Sequence, residues 1–256
     1  MIKAVFFDID GTLTSLRTGK IPQSTYKALE QLHQKGIKRF IATGRHIIDV
    51  DLTPVRDISF DGYVTLNGQI CLDGSRKSFY DNPVDSEDAE YMVDLFEKKE
   101  LIIVIAEMNR KYINYLTEED LKLQKMNLIP KTDVGTYKGE KIYQFMLHSN
   151  IEIAKEIASQ LKKCKATHWP PDGTDIIPSY GGKVIGIQKT LEHYGIRQEE
   201  TMAFGDGDND KEMISFAQIG VAMGNAEDDV RQCADYVTTD VEEDGIMKAL
   251  QHFHVL

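Results

Sequence analysis

The feature that most constrains the fold is a series of short apolar runs that do not alternate with polar residues. Ala4–Ile9 is β-rich and apolar apart from Asp8, Lys38–Ala42 is a second such run and Tyr63–Leu66 a third. Strands that read this way are buried on both faces, as in a parallel sheet covered by helices on each side. The connecting segments have helical spacing. Ser24–Lys35 places Ala28, Leu29 and Leu32 on one face, with Gly36 past its end. Asn67-Gly68 signals a hairpin, with Gln69–Leu72 as the returning strand.

The rhythm changes in the middle and resumes near the end. Between them the spacing predicts a helix capped by Ser86 and running to about Lys99, and strands at Leu101–Ala106 and Tyr112–Tyr115. A helix at Glu118–Met126, a strand at Ile142–His148, a helix at Ile151–Lys163 and a β-like stretch through Trp169 to Ile177 follow. After Gly182 come helix Val184–Tyr194, strand Thr201–Phe204, helix Asp210–Ala217, strand Ile219–Ala222, helix Asp228–Cys233, strand Tyr236–Val237 and helix Glu243–Phe253. The expected fold is α/β: a doubly wound, Rossmann-like parallel sheet from residues 1–80 and 183–256, with an α+β domain inserted at 81–182.

Charge restricts the partners. The 256 residues carry 30 Lys and Arg against 41 Asp and Glu, a net charge of −11. Bulk charge therefore disfavours nucleic acid and anionic membranes, and an anionic small molecule needs a local cation to receive it. The three cysteines, Cys71, Cys164 and Cys233, have no CxxC spacing, which fits a reducing compartment and no disulfide framework or zinc site. The opening apolar run turns acidic too soon for a signal peptide or a membrane span, so a cytoplasmic protein is expected. Monomer and homodimer are both compatible with the sequence.

Ligands of open parallel sheets bind beyond the carboxyl ends of the strands. Those ends carry Asp8-Ile9-Asp10-Gly11-Thr12, Thr43-Gly44-Arg45, Asn67-Gly68 and Gly205-Asp206-Gly207-Asp208-Asn209-Asp210. Acids closing an apolar strand are costly without a cation. Three aspartates in five residues repel one another for the same reason, and hard oxygen donors point to magnesium or calcium. A helix N-cap accounts for one acid in the 206–210 segment but not for the whole run. An EF-hand loop is excluded: counted from Asp206, the Gly and Glu positions hold Lys211 and Ala217; counted from Asp8 they hold Leu13 and Gly19. Thr43 and the backbone of Gly44 suit a phosphoryl oxygen. Lys183, opening a helix after Gly181-Gly182, can neutralise both a carboxylate and a phosphate. Arg45 is a candidate for a second anionic group on a substrate, Asn67 for a further substrate contact, and each is also explicable as structure alone. The unusual stretch His168-Trp169-Pro170-Pro171-Asp172 either faces a substrate or packs the inserted sheet.

Phe7-Asp8-Ile9-Asp10-Gly11-Thr12-Leu13-Thr14 resembles the first signature of the haloacid dehalogenase superfamily of phosphatases. Thr43, Lys183 and Gly205-Asp206-Gly207-Asp208-Asn209-Asp210 are similar to its second, third and fourth, in order. Gly220-Val221-Ala222-Met223-Gly224-Asn225-Ala226 and Asp244-Gly245-Ile246 resemble the Cof-like branch, whose insertion is a type IIB cap. The resemblance implies Asp8 as nucleophile and Asp10 as general acid and base. It implies Thr43, Gly44, Lys183 and Asn209 around the phosphoryl group, and magnesium held by Asp8, Asp206, Asp210 and the Asp10 backbone carbonyl. Lys183 precedes Val184 where relatives often have Gly, and Lys189 is its nearest rival. The implied activity is hydrolysis of a small phosphorylated metabolite, a sugar phosphate or phosphorylated cofactor, through an aspartyl-phosphate. A phosphomutase of the phosphomannomutase type returns the phosphoryl group to the sugar, so release of inorganic phosphate separates the two. A non-catalytic binding protein on this scaffold would be expected to lack Asp8 or Asp10, and both are present. No Gly-x-Gly-x-x-Gly follows the first strand, which excludes a nicotinamide site.

Overall fold

A computed structural model describes residues 1–126, 131–169 and 173–256. Residues 170–172 of the unusual stretch, and the Trp169 side chain, lie outside that description. β1 (Ala4–Phe7) leads through α1 (Gln23–Gln34) to β2 (Lys38–Ala42), the short α2 (Ile47–Val50), β3 (Gly62–Thr65), β4 (Ile70–Asp73) and β5 (Ser78–Asp81). Then come α3 (Ser86–Lys98), β6 (Ile103–Glu107), β7 (Lys111–Ile113), α4 (Glu118–Lys125), β8 (Ile142–His148), α5 (Ile151–Ser159), β9 (Cys164–Trp169) and β10 (Gly173–Pro178). The chain ends through α6 (Lys183–Tyr194), β11 (Thr201–Gly205), α7 (Lys211–Phe216), β12 (Ile219–Ala222), α8 (Asp228–Arg231), β13 (Tyr236–Val237) and α9 (Gly245–His252). Two compact units result, residues 1–81 with 182–256, and residues 82–181.

The first unit is built on a sheet of order β13-β12-β11-β1-β2-β3-β4-β5. From β13 to β3 neighbouring strands are parallel, and β4 and β5 add an antiparallel edge. Successive residues of β1 face opposite sides, and both sides are apolar. Phe6 stacks on Phe40 at 4.9 Å, and Phe7 on Phe204 at 5.2 Å. On the Phe6 side, Ile187 and Leu191 of α6 and Met213 and Ile214 of α7 complete one core. α1 buries Ala28, Leu29 and Leu32, lies on β2 and packs against α9. The chain leaves β1 toward β2 and later returns on its other side as β11, so the strand order reverses there. That reversal opens a crevice at the carboxyl ends of β1 and β11.

The second unit pairs its strands antiparallel in the order β7-β6-β8-β10-β9. Met92 and Phe96 of α3 and Ala154 and Ile157 of α5 share a core with Ile103, Ile105, Phe145, Leu147 and Ile176. Thr117 and Asp120 form a capping box at α4, and Asn150 caps α5.

Several boundaries differ from the sequence reading for local reasons. Asp85, not Ser86, caps α3 by accepting from Glu87 N–H. The helix expected from Asp210 starts at Lys211, because Asp208–Asp210 forms a 3-10 turn. The last helix starts at Gly245, because Asp244 is left-handed at φ 63°. β5 has half-buried residues and an exposed Asp81, and no apolar run announced it.

The first turn of α6 lies tight against the β3–β4 turn. A Cβ on Gly186 would stand 2.5 Å from Val64 Cγ1 and 2.8 Å from Gly68 Cα. Overpacking of this kind costs about 1–3 kcal/mol. Gly186→Ala should therefore lower the urea midpoint of the first unit by a corresponding amount. A midpoint equal to the wild type's would mean that α6 is free to move off the sheet.

Candidate active site

The loop after β1 is a tight left-handed turn. Gly11 N–H donates to Thr14 O at 2.8 Å, and Thr14 N–H to Ile9 O at 2.8 Å. Gly11 has φ 80°, and a Cβ there would fall 2.0 Å from Asp206 Oδ2. Only glycine lets the β1 loop approach the β11 loop this closely. Asp8 is joined to the same neighbour strand by its N–H donating to Phe204 O at 3.0 Å.

Lys183, at the start of α6, is fully buried along its side chain. Its Nζ donates to Asp8 Oδ1 and to Asp210 Oδ1, each at 2.6 Å. Lys189 lies on the surface and pairs with Glu192 at 2.8 Å, so it takes no part here. Asp210 is itself fixed, since its Oδ2 accepts from the N–H groups of Asp206 and Gly207 at 3.0 and 2.9 Å. Asp206 accepts from Thr12 Oγ1 at 2.7 Å and from Asn225 Nδ2 at 3.2 Å. Asn225 also donates to Gly11 O at 2.8 Å and accepts from Val241 N–H at 3.1 Å. One amide thus ties three loops together.

Asp8, Asp206 and Asp210 each offer an oxygen within 4.8 Å of the others. Opposite ligands of a magnesium ion stand about 4.2 Å apart, so this spacing is close to what the ion requires. Electrostatics point the same way. Three carboxylates face one ammonium, and the imbalance is expressed as proton affinity. Burial, with Asp210 and Asp10 nearby, pushes Asp8 up to about 7 although Lys183 opposes it. Burial and the charges of Asp8 and Asp210 push Asp206 up to about 8. Burial works against the Lys183 ammonium, yet the two carboxylates raise its pKa well above the ordinary lysine value. The residues fit a divalent cation: hard oxygen donors with an excess of negative charge that a cation relieves.

The remaining expected residues fall into two groups. Thr43 is buried after β2, and its Oγ1 accepts from Arg45 N–H at 3.1 Å. A Cβ on Gly44 would lie 3.1 Å from Asn67 Oδ1 and 3.5 Å from Asn209 Nδ2, and Asn209 Nδ2 donates to Asn67 Oδ1 at 3.0 Å. Thr43, Gly44, Asn67 and Asn209 therefore converge. Asn67 is 2% exposed and committed to Asn209, so it is not an open contact for a substrate. Arg45 is paired with Asp10 in this structure. Its Nε and Nη2 donate to Asp10 Oδ2 and Oδ1 at 2.6 and 2.8 Å, which turns the Asp10 carboxylate to the guanidinium and leaves it outside the three-carboxylate cluster. Asp208 points away and pairs with Lys211.

Sequence reasoning assigned no role to Thr12 or Asn225. Both had a usable signal: Thr12 is polar beside Gly11, and Asn225 follows the carboxyl end of β12, where ligand-facing groups gather.

The chain matches the haloacid dehalogenase-like hydrolase family over residues 5–250. It is 32% identical to the putative phosphatase YkrA of Bacillus subtilis, over 99% of this chain and 98% of that one. It is also 32% identical to the 5-amino-6-(5-phospho-D-ribitylamino)uracil phosphatase YitU of the same organism, over 98% and 97%. The solved structure of the HAD subclass IIB sugar phosphatase BT4131 superimposes with a TM-score of 0.89 at 37% identity, covering 99% of this chain and all of that one. Likeness at this level along the full length, in sequence and in backbone, means that this chain belongs to the haloacid dehalogenase-like hydrolase family, as a phosphatase of its Cof-like, type IIB branch.

Proposed function

We propose that the protein is a magnesium-dependent phosphatase that hydrolyses a small phosphorylated metabolite through an aspartyl-phosphate on Asp8. The observation that carries this reading is the buried Lys183 ammonium, 2.6 Å from both Asp8 and Asp210. It holds one Asp8 oxygen, and so orients the carboxylate and reduces its repulsion of an incoming phosphate. When bound among Asp8, Asp206 and Asp210, with the Asp10 backbone carbonyl as a further ligand, magnesium supplies charge that offsets the negative phosphoryl oxygens.

In the first step an Asp8 oxygen attacks phosphorus, the ester P–O bond breaks, and Asp10 gives a proton to the departing alcohol oxygen. In the second, Asp10, now ionised, takes a proton from the water that attacks the phosphoryl group, and Asp8 is released. Arg45 holds both Asp10 oxygens in this structure, so each transfer requires one of them to turn from the guanidinium to the reacting oxygen. Thr43, the Gly44 backbone, Lys183 and Asn209 hold the phosphoryl oxygens.

For the substrate, two similar proteins are a sugar phosphatase, BT4131, and a 5-amino-6-(5-phospho-D-ribitylamino)uracil phosphatase, YitU. This favours a sugar phosphate or a phosphorylated cofactor precursor. Residues 82–181 are the segment we assign to selection of the leaving group.

Asp8→Asn should abolish turnover of an aryl phosphate in magnesium. Activity above about a tenth of the wild type's would refute the nucleophile, since the variant keeps shape but loses the attacking charge.

Without a cation, the raised carboxyls of Asp8 and Asp206 favour folding only while protonated. Their contribution is complete below the ordinary value of 3.8 and is lost as pH rises through about 7 and about 8. A bound cation reverses that loss. The magnesium-induced rise in Tm should accordingly be larger at about pH 8 than at about pH 5.5, and Asp206→Ala should shrink the difference. Thermal melts with and without saturating magnesium check this; an increment independent of pH would count against the three-carboxylate site.

A further inference from the structure

The β3–β4 turn contributes no reacting group, yet it touches three of the segments that do. Asn67 N–H donates to Thr43 O at 3.0 Å and Leu66 N–H to Arg45 O at 3.0 Å, which anchors the β2 end. Asn67 Oδ1 accepts from Asn209 at 3.0 Å. A Cβ on Gly68 would meet Gly182 O at 2.1 Å, next to Lys183. The turn is also conformationally unusual. Leu66, Asn67 and Gly68 are all left-handed, with φ of 50°, 53° and 87°. Thr65 pairs with Ile70, so four residues join the strands, and Gly68 N–H donates to Thr65 O at 3.0 Å while Gln69 N–H donates to Leu66 O at 3.2 Å. Leu66 is the one of the three that is neither glycine nor asparagine, the residues that visit this region readily, and it is fully buried. Such strain persists where the surroundings over-determine it, and it collects at functional sites.

We propose that Asn67 is a positioning residue for the phosphoryl pocket. It touches no reacting atom. Its backbone holds the Thr43–Gly44 segment, and its side-chain oxygen turns the Asn209 amide into the pocket. This rests on the reading above in which Thr43 and Asn209 hold the phosphoryl group.

The test uses Asn67→Gly, Asn209→Ala and the double variant in the full chain. Binding of inorganic phosphate in magnesium is read by titration calorimetry, and Tm by melting. Glycine accepts the left-handed backbone, so Asn67→Gly removes the side chain without adding strain. Its Tm should stay within about 2 °C of the wild type. Phosphate affinity should fall roughly five- to tenfold, as loss of one positioned hydrogen bond gives, and the double variant should be little weaker than Asn209→Ala alone. If Asn209→Ala weakens phosphate and Asn67→Gly does not, the positioning role is overturned and the proposed function stands. If Asn209→Ala binds phosphate normally, the assignment of Asn209 fails first, and this inference with it. A Tm drop of many degrees in Asn67→Gly would show that the side chain supports the fold rather than the pocket, and would also overturn it.

Discussion

Lys183 carries a fully buried ammonium between Asp8 and Asp210, and the surrounding structure has to satisfy that charge. Removing either carboxylate would leave a cation in the interior uncompensated, which is far more costly than losing a surface pair. The demand reaches across the whole sequence, since Lys183 and Asp8 are 175 residues apart. Residues 82–181 are inserted between them and form a unit of their own. What brings the ends together is the first unit's sheet, in which β1 and β11 are neighbours and α6 covers β3 and β4. Small residues set the remaining distances: glycine at 68 and 186 lets α6 settle close enough for Lys183 to reach the strand ends.

The fold was legible wherever local pattern and tertiary environment agree. The apolar runs at Ala4–Phe7 and Lys38–Ala42 mark the sheet centre because both of their faces are buried, which allows no polar alternation. Gly36 and Gly195 mark helix ends because both are left-handed, at φ 71° and 64°. β5 was not legible: an edge strand with half-buried residues has neither a continuous apolar run nor clean alternation. Starts of helices shifted where neighbouring polar side chains compete for the same role. Asp85 and Ser86 are both able caps, and the structure chooses by which side chain reaches the free N–H.

For the site, sequence revealed residue types at strand ends but not how they pair. That Asp206 and Asp210 differ from Asp208 follows from side-chain direction within one turn: Asp210 folds back onto the N–H groups of 206 and 207, whereas Asp208 faces Lys211. Arg45 and Asp10 are 35 residues apart, and their pairing depends on β1 lying beside β2. Thr12 and Asn225 escaped notice for a related reason. A hydroxyl or an amide acquires significance only from the partner it faces, and the partner of both is a carboxylate about two hundred or about twenty positions away.

The site is also where the fold is least at ease with itself. Three aspartates crowd around one lysine, and two of them are driven toward protonation by burial and mutual repulsion. An interior optimised for stability alone would replace such a group with apolar side chains of similar volume. Retaining it leaves a concentrated negative field that protons or a cation can relieve, and in the proposed reading a cation there would admit a phosphate that this acidic chain otherwise repels. In that reading, a cation bound first would offset the repulsion of this acidic cluster, and the phosphoryl group would then meet a carboxylate already restrained by Lys183.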